Sequence, residues 1–231
     1  MMERPAPEYL GHSSRGCAAR WGAARRRAAF AAALVLTGCA SRPPIPDWQL
    51  SAKAASERAT AAYLAGNGRV APAELARARS EVGRTGRVDL LARVELTQCA
   101  AQVASLVFGP CAGFEPLRAD APAAERAYAD YLAGRPASAS DAALLPEAHR
   151  GTAALPAIAD PLARLIAAGV RFQTDRADPA TIQTAIDTAS AQGWRRPLLA
   201  WLNVELRRAE AAGASDAVQQ LRRRIAIVDK P

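Results

Sequence analysis

The chain has 231 residues, and its 30 basic and 22 acidic side chains give a net charge of +8 and a pI near 10.0. Half of the residues are hydrophobic, only 5% are aromatic, about a quarter are alanine, and lysine occurs only at Lys53 and Lys230. This composition is too apolar for a disordered chain and too poor in β-branched and aromatic residues for an all-β fold, and its alanine and leucine predict an all-α protein.

Residues 25–39 read Arg-Arg-Arg-Ala-Ala-Phe-Ala-Ala-Ala-Leu-Val-Leu-Thr-Gly-Cys. Three arginines precede an apolar run from Ala28 to Leu36, which is under half of the ~20 residues a spanning helix needs. It has the form of an export signal. Leu36-Thr37-Gly38-Cys39 resembles the lipobox of bacterial lipoproteins. That resemblance implies cleavage before Cys39 and acylation of its thiol and of the new amino group. Residues 1–38 are then a signal peptide, 39–46 a Pro-rich tether and 47–231 one mature helical domain. An Asp after the acylated Cys would resemble an inner-membrane retention signal. Ala40 stands there instead, which favours the outer membrane, facing the periplasm. Several acyl chains anchor stably where one binds only marginally.

Cleavage removes six arginines and two acids, so half of the +8 belongs to the signal. The remaining excess is ordinary for a soluble domain. Aromatic and basic residues are not interleaved as in single-strand binders, so nucleic acid is not an expected partner.

Asp47 is predicted to cap a helix from Trp48 to Gly66. Trp48, Ala52, Ala55, Ala59 and Ala62 fall at spacings of four, three, four and three, a single face of small residues. A second helix is predicted from Pro72 to Arg84 with Leu75, Ala78 and Val82 inward. The third runs from Val88 to Val107 on Leu91, Val94, Cys99, Val103, Leu106 and Val107. In the oxidising periplasm that the lipobox implies, a disulfide between Cys99 and Cys111 is the default. Gly109-Pro110 supplies the reversal such a link needs, and a loop this short contributes about 3 kcal/mol in the chain-entropy model. Two free buried thiols or a metal pair are the alternatives, and a metal pair lacks partner ligands. Phe114 is expected to tuck inward.

A fourth helix is predicted from Pro122 to Ala133, capped by Asp120, with Tyr128, Tyr131 and Leu132 as anchors. A short helix at Asp141–Leu145 is interrupted by Pro146, and residues 149–156 read as a mobile connection. Asp160-Pro161 opens a helix to Gly169, and Asp178-Pro179 opens one through Gln192. Pro197 begins a helix with Leu198, Trp201, Leu202 and Leu206, closed by Gly213. Ser215 caps the last, whose apolar positions are Val218, Leu221, Ile225 and Val228.

Helices of this length joined by Gly turns predict stacked antiparallel helical hairpins. Ala59–Gly66 and Ala127–Gly134 share a Tyr-Leu-Ala-Gly ending and resemble the first helix of a tetratricopeptide repeat. The stretch from Ala209 to Gly213 and the basic helix after it resemble the second helix and a terminal cap. The resemblance implies a tetratricopeptide-like right-handed array, here degenerate because the 34-residue period is not kept. The lipobox, the entry from Arg42-Pro43-Pro44 to Trp48, the Cys pair and Gly193–Trp201 are together similar to a group of uncharacterised proteobacterial lipoproteins.

Catalytic signals are absent from the reading. His149 is the sole histidine after residue 38, no Gly-x-Ser-x-Gly elbow occurs, and a surface or loop-structuring role for His149 is expected. No zinc-type ligand set or Gly-rich phosphate loop appears, so no metal, cofactor or catalytic residue is assigned. Glycan cleavage needs two carboxylates across a cleft, and Glu95 and Glu115 are acids without a distinguishing context. Arg222-Arg223-Arg224 with Arg207 and Arg208 reads as a solvated helix face. Trp194, Arg195 and Arg196, at a helix–helix turn, are the candidate contacts for a partner, with plain packing of Trp194 over the turn as the favoured alternative. The expected function is a lipid-anchored envelope module for protein interaction or scaffolding, with peptidoglycan or glycan binding or processing as the alternative.

Overall fold

The computed structural model describes residues 44–151 and 154–230, and their regular structure is entirely helical. The lipobox residues Leu36, Thr37 and Gly38, and Cys39 itself, lie outside the described residues. Among the described residues, no helix is long and apolar enough to cross a membrane.

Alanine sets the first contact. α1 (Asp47–Leu64) and α2 (Val70–Gly83) form a hairpin that packs Ala52, Ala55 and Ala59 against Leu75, Ala78 and Val82. Four of these six side chains are single methyl groups, which lets the two backbones approach. α3 (Val88–Ala104) adds Val94 to this cluster and turns Leu96, Cys99 and Val103 into a larger core. There, α4 (Ala123–Leu132), α6 (Pro161–Gln173), α7 (Pro179–Ala191) and α8 (Arg195–Ala211) bring Leu132, Leu165, Ile186 and Leu202 around Trp201. Trp201 is fully buried, and its indole N–H donates to the Ala104 carbonyl at 3.2 Å while Phe172 meets its ring edge-on. Its one polar atom is therefore satisfied, as a buried indole requires. α5 (Ala139–Leu144) is a short element beside α4, and α9 (Ser215–Asp229) lies on α8 through half-buried Leu221, Ile225 and Val228.

Consecutive helices pack as hairpins, most extensively α1 with α2 and α8 with α9. Helices that are not consecutive also meet: α3 rests on α6 and on α1, α1 touches α8, and α4 touches α6. Gly169 lies at the α3–α6 crossing, where a Cβ would overlap the Val103 carbonyl. The expected stop at Gly169 is thus corrected: the glycine is buried inside α6, serving close approach, and the helix continues to Gln173. The described residues from Ile45 onward form one compact unit.

The helix ends explain most other differences from the sequence-based expectations. α1, α4, α7 and α8 are followed by Gly66, Gly134, Gly193 and Gly213, all at positive φ, as their glycines predicted. After α3 and α6 the same left-handed position is held by Leu106 (φ 58°) and Asp175 (φ 54°). The N–H groups of Leu106 and Val107 donate to the carbonyls of Val103 and Gln102, a complete Schellman closure. α3 therefore ends at Ala104 rather than Val107, and Val107 is exposed rather than on its apolar face.

At the helix starts, the carboxylates of Asp160 and Asp178 accept the N–H groups of Ala163 and Thr181, each at 2.7 Å, as expected of N-caps. Asp47 and Ser215 instead sit inside the first turns of α1 and α9, and Pro122 rather than Asp120 precedes α4. The side-chain oxygen of Asn67 accepts the N–H groups of Arg69 and Val70 at the head of α2. α8 starts at Arg195, with Pro197 within its first turn. Cys99 and Cys111 are bonded with their Cα atoms 5.6 Å apart, and Phe114 just beyond is fully buried.

Candidate functional site

A groove follows α1 and ends on two tryptophans. One stretch, a depression of about 610 Å³, begins at Trp48 and lies between α1 and the Leu90–Thr97 face of α3. A second of about 410 Å³ continues along α1 to the start of α6 and to Trp194. Ser56, Glu57 and Thr97 line both, so the two stretches are continuous. The hydroxyls of Thr60 and Thr97 donate to the carbonyls four residues back, Ser56 and Arg93, at 3.0 and 2.8 Å. Committed to their own helices, they leave Ala61, Leu64 and Leu162 in one stretch and Ala52, Leu90 and Val94 in the other as the apolar lining. Lys53 and Glu57 pair on its rim at 3.2 Å.

Of the three candidate partner contacts, the structure separates the tryptophan from the arginines. Trp194 precedes α8, half-buried, and lines the groove. Arg196 donates from Nε to the Tyr63 carbonyl at 2.9 Å, and its guanidinium lies 4.4 Å from the centre of the Tyr63 ring. Arg195 donates to the Asp229 carbonyl at 2.6 Å. The two arginines thus tie the head of α8 to the ends of α1 and α9.

His149 is buried, not on the surface. It ends a short 3-10 turn at Glu147–His149, stacks on Tyr128 with ring centres 5.9 Å apart, and meets Tyr131 both by its ring and through Nδ1, 3.2 Å from the Tyr131 hydroxyl. Burial pushes its pKa from the ordinary 6.5 down to about 4, partly opposed by Asp160. It is neutral at pH 7 and, through Tyr128 and Tyr131, fixes the Glu147–His149 turn against α4. Leu155, in the 149–156 connection, is also buried.

The acids singled out for glycan chemistry are both held by arginines. Glu95 is buried and takes a two-point contact from Arg79, Nε to Oε1 at 2.5 Å and Nη2 to Oε2 at 2.6 Å. Gly113 leaves the room for it, since a Cβ there would overlap the Glu95 carboxylate. Glu115 accepts two hydrogen bonds from Arg118, which hold its carboxyl below the usual range. A glycosidase acid needs the opposite shift. Glu125 had no sequence signal of any kind. It is buried, with Oε1 paired to Arg93 at 2.7 Å and Oε2 without a hydrogen-bond partner among the described residues. Among the described residues no cluster of three or more His, Cys, Asp or Glu could hold a metal. On the basic C-terminal face, Arg208 pairs with Glu205, and Arg222 with Glu210.

These features define a class: an all-α protein with a disulfide-pinned third helix and an apolar groove along its first. No family model, curated protein or solved structure matches the chain.

Proposed function

We propose that this chain is a lipid-anchored envelope protein, tethered through Cys39 to the outer membrane and facing the periplasm, whose helical domain holds a protein partner. The groove from Trp48 to Trp194 is the observation that carries this reading. The hydroxyls of Thr60 and Thr97 are turned back on their own helices, which reduces the polar groups that a partner's apolar side chains meet. An amphipathic helix laid in the groove on its apolar face suits such a surface. Trp48 and Trp194 offer the large aromatic contacts that dominate binding energy at interfaces. The consecutive hairpins support kinship with tetratricopeptide-type scaffolds, and the order of basic run, apolar run and lipobox supports the anchor.

Site-specific photocrosslinking in intact envelopes tests the groove. A photoreactive residue at Thr97 is expected to give a discrete adduct, and Ser56→Arg, which fills the groove where its two stretches meet, is expected to abolish it. No adduct, or an adduct indifferent to Ser56→Arg, would count against the groove. The anchor is tested separately: Cys39→Ala is expected to yield unlipidated or unprocessed protein. Unchanged membrane fractionation and mature mass would reject it.

A further inference from the structure

On the other side of His149 lies a cavity of about 820 Å³, bounded by the end of α4, the Leu145–Gly151 segment, α6 and the start of α7. The floor is apolar, with Leu145, Ala167 and Val170. The rim carries Arg135 and Arg176, with Arg171 beside them engaged within the chain and Asp178 as the carboxylate of the lining. Asp178 is committed as the cap of α7, where it accepts the Thr181 N–H. Arg135 reaches Asp130 at 2.6 Å, but that carboxylate also serves Arg118 at 3.0 Å, so two guanidinium groups share it.

Arg176 differs from Arg135. Its Nε donates to the Thr174 hydroxyl at 3.0 Å, and it has no carboxylate partner among the described residues. Its position follows from the end of α6: Asp175 takes the left-handed conformation, and the Arg176 N–H donates back to the Arg171 carbonyl at 2.8 Å. That closure returns Arg176 to the cavity mouth. Tyr131 and His149 are both neutral at pH 7, so they offset none of the positive charge.

We infer that this cavity binds a small ligand carrying a carboxylate or phosphate group, with the Arg176 guanidinium as its principal anchor, Arg135 as a second, and the Leu145–Ala167–Val170 floor receiving the ligand's carbon skeleton. A planar guanidinium matches either oxyanion in a two-point contact. The volume lies within the ~300–1,000 Å³ typical of small-molecule sites. The site stands apart from the groove and does not depend on the lipid anchor.

The full chain carries two histidines, His12 and His149, so the imidazole 15N resonances of His149, assigned by their loss in His149→Gln, report on the cavity directly. Inorganic pyrophosphate and citrate, each titrated to about 10 mM against chloride at equal ionic strength, separate the phosphate from the carboxylate source. A saturable shift of His149 with either probe is expected, weakened at least about tenfold in Arg176→Gln with the thermal midpoint unchanged. Arg176 is exposed and makes only the Thr174 contact from its side chain, so this variant is expected to fold. Absence of a saturable shift with both probes, or equal binding by Arg176→Gln, would overturn the site.

Discussion

At the residue scale His149 carries the clearest pH signature. Below pH 6.5 the unfolded chain takes up a proton that the buried imidazole refuses until about pH 4. The unfolded state binds more protons across that window, so stability falls as pH falls through it, by on the order of 2–3 kcal/mol. Glu74, Asp89, Glu115 and Asp178 have lowered pKa values, so their contribution is lost further down, as they protonate. Denaturant unfolding between pH 7 and pH 4 is expected to show the loss in the native chain and a flatter profile in His149→Gln. Gly169 tests packing instead. Alanine in a helix interior ordinarily gains about 1 kcal/mol over glycine, but here its methyl would overlap the Val103 carbonyl. A net destabilisation of about 1–3 kcal/mol is expected for Gly169→Ala. A raised denaturation midpoint would contradict the close α3–α6 crossing.

At the scale of elements, the way a helix ends governed what could be read in advance. Where the left-handed residue is glycine, as at Gly66 and Gly134, the stop is written in the residue type. Where it is Leu106 or Asp175, the closing hydrogen bonds are the same but no residue type announces them. α3 was read three residues too long for this reason. Gly169 misled in the opposite direction, since a glycine needed for contact looks like a glycine needed for a turn. Asp175→Gly is expected to raise stability by about 0.5–1 kcal/mol by relieving the left-handed backbone, measurable as a higher midpoint of chemical unfolding. The disulfide joins Cys99, late in α3, to Cys111 across a separation of 12 residues, fixing the loop that delivers Phe114 to the core. Replacing both cysteines with alanine is expected to cost about 2–3 kcal/mol, a fall of roughly 5–10 °C in Tm for a domain of this size. An unchanged melting curve would show that the staple contributes nothing.

At the scale of the whole molecule, the all-helical class and the order of hairpins were legible, because alanine faces and Asp-Pro starts are local signals. The groove, the cavity and the Arg196–Tyr63 tie were not. Each needs residues far apart in sequence, and periodicity along one helix carries no information on which distant helix it meets. That tie joins positions 133 residues apart, and it changes how the protein loses its structure. In an open repeat array each unit touches only its neighbours, so ends fray and shorter arrays survive. Here α1 leans on α8, and α3 on α6, so melting either end exposes the other. Chemical denaturation is expected to follow a single transition with coincident tryptophan fluorescence and helical circular dichroism. A chain cut before α8 is expected to be unfolded rather than a smaller stable protein. A stable, helical product ending at residue 193 would show that the two ends do not depend on each other. With the ends tied together in this way, limited digestion is expected to track global unfolding rather than the opening of either end.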